Sequence, residues 1–222
     1  MNRRINQTGR RSDRPLIVIG GGGHAKVLIS TLRAMGRDVE AAFDDNASRH
    51  GQFLLGVPIA GAIEDAAKMF PDADAVIGIG SPDVRRMLSE RLPFRWIQVV
   101  HPYAYVDPTA VLQEGVVVMA GAVVQPETVL GRHSIVNTSA SIDHDGRIGG
   151  FVNISPGVHL SGNVTVGDAA LIGIGASVLQ GITIGAGTLV GGGAAVIRDL
   201  PPNVVAVGCP ARVIRSLDAK AA

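Results

Sequence analysis

The sequence is poor in aromatic residues, in cysteine and in long apolar runs, and each shortage excludes something. Phe, Trp and Tyr make only 4% of 222 residues, although 46% of the chain is apolar. Such a chain is too apolar to be disordered, and its core must consist of small aliphatic side chains rather than stacked rings. A single cysteine, Cys209, rules out an intrachain disulfide framework and fits a reducing cytoplasm. No run approaches the roughly 20 apolar residues of a membrane-spanning helix, and the apolar stretch 16–19 is too short for a secretory signal. Neither sign of charge prevails, with 20 Lys and Arg against 19 Asp and Glu. The one imbalance is local: Arg3, Arg4, Arg10, Arg11 and Arg14 face only Asp13, so the remainder is slightly acidic. Residues 1–14 therefore read as a disordered basic tail, and no nucleic-acid surface is expected. What is abundant is glycine, with 29 residues that do not recur every third position and so do not make collagen.

Up to about Val100, strand-like and helix-like segments alternate. Strands are expected at 16–19, 39–43, 75–79 and 96–100, and helices at 25–35, 63–70 and 83–91. That alternation predicts a small parallel sheet covered by helices over residues 15–100. His101-Pro102 reads as the hinge, since a residue before proline is driven to extended geometry.

From Val106 the grammar changes to a repeat of six. Positions 106, 112, 118 and onward to 196 are sixteen in number, and every one is Val, Ile or Leu. Four residues after each, the side chain is usually small, as at Ala110, Ala122, Thr128, Ser134, Ala140, Gly146, Ala170, Ala176, Thr188 and Ala194. Neither a helix of 3.6 residues per turn nor an alternating strand makes this period. A solenoid of short strands joined by tight corners does, and residues 101–222 are expected to form one, ending in a tail.

Two clusters carry chemistry. In the first, a strand runs into Gly20-Gly21-Gly22-Gly23-His24-Ala25 and then a helix. Gly20, Gly22 and Ala25 match the G-x-G-x-x-G/A spacing, with Asp44-Asp45 about twenty residues on. Glycines allow close backbone approach to a phosphate, the helix start favours an anion, and the acids can accept a ribose hydroxyl or a base N–H. This is the grammar of a Rossmann-like nucleotide site, the alternative being a tight turn with no ligand. In the second cluster, Asp143-His144-Asp145 falls where side chains should leave the coil, and a carboxylate beside an imidazole fixes its tautomer. Gly162 stands eighteen residues on in the same register, with no side chain to screen its N–H. His133 and His159 occupy other registers, so three histidines have no reason to converge on a metal, and none is expected.

The run "IGGFVN ISPGVH LSGNVT VGDAAL IGIGAS" resembles the left-handed parallel β-helix acyltransferases, in which three hexapeptides make one triangular coil. With "IGGGGHAKV", "FDD", "IGSPDVRR", "HPYAYV", "NTSASIDHD" and "VGCPARVI" in order, the chain resembles the sialic acid O-acetyltransferase and bacillosamine N-acetyltransferase group. The resemblance spans residues 15–217. It implies a cytoplasmic homotrimer that transfers acetyl from acetyl-CoA to a nucleotide-linked amino sugar, by direct attack and without a metal. It also implies a nucleotide pocket lined by Gly22, Gly23, His24, Asp44, Asp45, Gly80, Ser81 and Arg85. His144 would be the general base, Asp145 its orienting acid, and Gly162 an amide facing the thioester oxygen. Asn153, Gly162, Gly173, Gly175, Pro210, Ala211 and Arg212 would hold the carrier, with Arg212 and Arg215 near its phosphates. Two departures stand out: Ser81-Pro82 where relatives have an Asn pair, and Asn153 where they often have His. Transfer to a hydroxyl, as in sialic acid O-acetylation, and a non-catalytic nucleotide-sensing scaffold both stay open.

Overall fold

The structure, a computed structural model, describes residues 14–217. The basic tail expected at 1–14 lies outside those residues except for Arg14. Six strands build the first sheet: β1 (Leu16–Ile19), β2 (Ala41–Phe43), β3 (Phe53–Leu54), β4 (Val57–Gly61), β5 (Asp74–Ile77) and β6 (Arg95–Trp96). Their order is β3-β4-β2-β1-β5-β6, parallel apart from the β3–β4 hairpin. β1 pairs with β2 on one side and β5 on the other, so the chain reverses direction across the sheet there. Ligand crevices in open α/β sheets form at such a switch point, outside the carboxyl ends of the strands.

Helices α1 (Gly23–Ala34), α2 (Ala66–Met69) and α3 (Pro82–Arg91) cover the sheet. Ala25, Leu28, Ile29 and Leu32 recur at helical spacing, and all four are buried. Helix α3 starts where Ser81 accepts from the Val84 N–H and Pro82 takes the first turn. Several expectations shift, among them the strand at 96–100, which divides into β6 and a separate strand Val99–Val100 that belongs to the second half. The second strand starts at Ala41 rather than Val39, and Ile63–Asp65 is a 3₁₀ turn before the short α2. The β3–β4 hairpin was not anticipated, because its strands are too short to show a period.

The second half is a parallel coil with three faces. Val118 pairs with Val136, Ile142 with Leu160 and Leu130 with Ile148, so each turn of the coil takes eighteen residues. The repeating aliphatic position points inward throughout, and these side chains form one continuous core from Val118 to Val196. Burial of each is worth about 1.5–3 kcal/mol against leaving it in water. The narrow interior accounts for the missing aromatics. Corners account for the glycine: every sixth residue from Gly115 to Gly193 has positive φ, a conformation glycine adopts freely. Asp145, His133 and Phe151 hold that left-handed register without being glycine.

The first coil strand is Val99–Val100, which pairs with Val117–Val118. The coil therefore begins before His101-Pro102, and Val100 extends the aliphatic series by one hexad. Face one of the coil carries 99–100, 117–118, 135–136, 153–154, 171–172 and 189–190. Its outward residues Val99, Val117 and Ile135 are buried in one cluster with Leu28, Ile29 and Leu32 of α1. The N-terminal domain thus lies on face one, and Thr31 donates to the Met119 sulfur at 3.6 Å across the contact.

Candidate functional site

The glycine loop leaves β1 at its carboxyl end. Gly20 has φ +110° and Gly21 lies so close to Asp44 that an added Cβ would stand 2.9 Å from its carboxylate. Gly78, after β5, faces Ala25 with room for no side chain, which lets α1 pack onto the sheet. Gly22 and Gly23 instead face open space. Helix α1 has no side-chain cap, so the first-turn N–H groups of Gly23, His24 and Ala25 are left for an outside acceptor.

Asp44 braces this loop. One carboxylate oxygen accepts the Gly21 N–H at 2.7 Å, the other accepts the Asn46 N–H at 2.9 Å, and Arg49 stands 3.9 Å away. Asp45 is exposed and accepts the Ile63 N–H at 3.0 Å through Oδ1. A cavity of about 250 Å³ opens between Gly21–Gly23, Lys26, Arg49, Gln52 and Phe53. Of the residues expected in the nucleotide pocket, Gly22 and Gly23 line it, and Lys26, Arg49 and Gln52 are additions the sequence pattern did not single out. His24 is largely buried, and its Nε2 has no partner among the described residues. Burial, helped by the Arg85 charge, drives its pKa down to about 4, so the ring is neutral at physiological pH. Gly80 and Ser81 follow β5 and do not line this cavity; they come after Gly78 and Ile79, which pack against Gly20.

Arg85 departs from its expected place. It is 1% exposed, and its guanidinium donates to the backbone carbonyls of Gly80 at 2.6 Å, Phe151 at 2.6 Å and His133 at 3.0 Å. It faces the seam between the two halves rather than a ligand. The reason is local: α3 packs its buried side against the coil corner, where Trp96 and Phe151 enclose the His133 ring.

His144 lies at the corner between face two, which contains 141–142, and face three, which contains 147–148. Its Nδ1 is 2.7 Å from Asp145 Oδ2, and its backbone N–H donates to Asp143 Oδ1. The positive φ of Asp145 turns that carboxylate back toward the ring one residue earlier. With Nδ1–H donated to Asp145, Nε2 is the basic nitrogen. The Asp145 hydrogen bond raises the imidazole pKa, assisted by the Asp143 and Asp145 charges and opposed by desolvation. One coil on, an added Cβ at Gly162 would stand 2.6 Å from the His144 ring. No hydrogen bond among the described residues uses the Gly162 N–H.

The remaining expected carrier residues lie elsewhere on the coil. Asn153 is on face one, where its amide donates to the Gly80 carbonyl at 3.4 Å. Gly173 is pressed against Gly192 and Val190, and Gly175 has the corner conformation with open space beyond it. Pro210 and Ala211 precede the final strand 212–216, which pairs antiparallel with 204–207 and extends face one. Within one chain, therefore, His144 and Gly162 stand across the coil from face one, which carries the N-terminal domain and Asn153. Among the described residues no three His, Cys, Asp or Glu side chains gather to hold a metal ion.

A Rossmann-like domain seated on a hexapeptide coil, with a carboxylate-bound histidine at one corner, defines the class: a hexapeptide-repeat β-helix protein with an α/β domain in front. The chain belongs to the PglD-type family of sugar N-acetyltransferases, which includes bacillosamine and perosamine N-acetyltransferases. The PglD N-terminal domain profile matches residues 15–92. A histidine-to-asparagine variant of perosamine N-acetyltransferase from Caulobacter crescentus, solved with CoA and GDP-perosamine, is 38% identical with a TM-score of 0.87. That comparison covers 92% of this chain and 99% of the other. The acetyltransferase domain of PglB from Neisseria gonorrhoeae, solved with acetyl coenzyme A, is also 38% identical with a TM-score of 0.87. It covers 91% of this chain and 100% of the other. UDP-N-acetylbacillosamine N-acetyltransferase of Bacillus subtilis is 39% identical over 110 residues, which span 46% of this chain and 50% of that protein. An uncharacterised protein of Acanthamoeba polyphaga mimivirus is 31% identical over 99 residues and is matched over 20% of its length.

Proposed function

We propose that this protein transfers an acetyl group from acetyl-CoA to the amine of a nucleotide-linked amino sugar, of the 4-amino-4,6-dideoxy class. The reading rests on one observation above all: the His144–Asp145 pair at 2.7 Å with the Gly162 amide one coil above it. His144 Nε2 accepts a proton from the sugar nitrogen as that nitrogen attacks the thioester carbon. The Gly162 N–H donates to the carbonyl oxygen as it becomes an oxyanion. The C–S bond then breaks, and the thiolate leaves after taking a proton, which imidazolium can return. Acetyl-CoA enters as a co-substrate, and no covalent enzyme intermediate is needed.

The nucleotide binds the loop Gly21–His24, with its diphosphate at the α1 start and its base and ribose near Asp44 and Asp45. This crevice and His144 lie on opposite sides of one coil. The complete site is therefore formed between copies, the crevice and Asn153 of one facing the His144 corner of the next, in a homotrimer. Gly173, Gly175, Pro210, Ala211 and Arg212 lie along that contact and hold the carrier. A reducing cytoplasm that supplies acetyl-CoA belongs to the same reading.

Thiol release tests it, with UDP-, GDP- and dTDP-linked 4-amino sugars as acceptors and acetyl-CoA as donor. One nucleotide series is expected to give turnover that His144→Ala abolishes. Thiol release with none of them, or undiminished release by the His144 variant, would falsify the assignment. Turnover only on hydroxyl acceptors would make the protein an O-acetyltransferase instead.

A further inference from the structure

The Arg85 guanidinium carries a buried charge with no carboxylate beside it among the described residues. Its hydrogen-bond partners come from two separate parts of the chain. On the N-terminal side it reaches the carbonyls of Ile79 at 3.3 Å and Gly80 at 2.6 Å, in the turn that follows β5. On the coil side it reaches His133 at 3.0 Å, Phe151 at 2.6 Å and Val152 at 3.3 Å. The same Gly80 carbonyl accepts from Asn153 at 3.4 Å. Burying a charge is costly, and an apolar seam of equal volume would often be as stable. A planar fork of five donors adds fixed geometry between the two surfaces it joins.

Those surfaces are the two that the reaction must bring into register. Gly80 and Ser81 directly follow Gly78 and Ile79, which pack against Gly20 at the start of the glycine loop, and Asn153 is the next outward residue on the coil after Val152. The His133 ring, stacked on Phe151 at 5.4 Å and against Trp96 at 5.3 Å, packs the rest of the seam. Arg86 and Arg132 lie over the Phe151 ring, and Arg132 also pairs with Glu90 of α3. Among the described residues Asn153 joins the two surfaces by a single long hydrogen bond to Gly80, whereas Arg85 grips carbonyls on both.

We propose that Arg85 is a positioning residue for acyl transfer, setting by its two-sided carbonyl grip where the sugar end of the substrate stands relative to the carrier. This rests on the proposed function, but its physical core, coupling between crevice and coil, does not. Arg85→Lys keeps a charge and removes the fork, and Arg85→Met keeps volume and removes both.

Both variants are to be compared with the wild type by steady-state kinetics and by amide hydrogen exchange with and without the nucleoside diphosphate that the wild type binds. The expected result for Arg85→Lys is a kcat lowered about 10- to 100-fold with the Kd for the nucleoside diphosphate within about twofold of wild type. In the wild type the nucleotide should slow exchange at 151–153, and in Arg85→Lys that response should vanish. A kcat equal to wild type, or an unaltered exchange response, overturns the proposal. Loss of folding in both variants overturns it too, since Arg85 would then act through stability alone. A wild type that acetylates no nucleotide-linked amino sugar refutes the functional reading instead, and the exchange response alone then decides the coupling.

Discussion

Gly162 sits directly over the His144 imidazole, one coil away, with space between them for no side chain: an added Cβ would be 2.6 Å from Cε1 and from Nε2. The contact places a backbone amide and the basic nitrogen at one corner, which suits the proposed mechanism, in which the attacking amine meets the nitrogen and the carbonyl it attacks meets the amide. Gly162→Ala must push the ring aside or move the amide. We expect kcat to fall about 100-fold, the size of losing one oxyanion donor, while the nucleotide-sugar KM stays near wild type. Steady-state kinetics beside a circular-dichroism melt separates this from unfolding; a folded alanine variant with wild-type kcat contradicts it.

The Asp145 contact gives a pH signature. Its hydrogen bond is the main cause that raises the His144 pKa, and in the proposed mechanism His144 must be unprotonated to accept the amine proton. Activity should therefore fall on the acid side with an apparent pKa above that of an ordinary histidine. Asp145→Asn removes the charge and the main upward influence, so the acid limb of kcat/KM should move to lower pH while the plateau drops about 10- to 1,000-fold. A pH–rate profile for both proteins checks the sign, and an unmoved acid limb means that another group titrates.

The coil was legible because its constraint is local: each inward position allows one aliphatic side chain, and the residues repeat that demand every six. Val100 was hidden because it closes the run that starts at Trp96, and residues 96–100 together imitate one strand of the first sheet. The docking face was harder to read. Val99, Val117 and Ile135 recur every eighteen residues on one face, but Val123, Val111 and Val129 are equally apolar at the outward register of the other two faces, and only their burial against α1 sets the first three apart. Arg85 had no readable sign. Its acceptors are carbonyls 48 and 66 residues away, and backbone carbonyls leave no mark in a sequence. The pairing of His144 with Asp145 was visible as neighbours, but the left-handed turn that aims the carboxylate was not.

Asp44 acts on the loop before it acts on any ligand. It takes the Gly21 and Asn46 N–H groups at 2.7 and 2.9 Å, and these hold the glycines in the shape that exposes the α1 start. Asp44→Ala releases both donors and should raise the KM for the nucleotide sugar about tenfold or more, with a much smaller change in kcat, as expected when binding shared by ground and transition states is lost. Calorimetric titration with the nucleoside diphosphate should show the same loss. Equal affinity in the variant would show that the loop holds its shape without the carboxylate.

The seam also makes stability depend on acid. His133 is 2% exposed, and burial, then the charges of Arg85 and Arg132, lower its pKa to about 4. His24 is lowered to about 4 by burial and then by Arg85. In the unfolded chain both histidines take up protons near the ordinary value of about 6.5. Between roughly pH 6.5 and 4 the unfolded state therefore binds more protons, and stability falls as pH falls. Below about 4 both states are protonated and this contribution levels off. Each histidine should remove about 1 kcal/mol per pH unit within that window, so melting temperatures should drop steadily from near neutrality down to about pH 4.5. His133→Phe keeps a ring to stack on Phe151 and against Trp96 but cannot take a proton, so its melting temperature should fall less steeply over the same range. Parallel slopes for the two proteins would mean that His133 is not held neutral in the folded state.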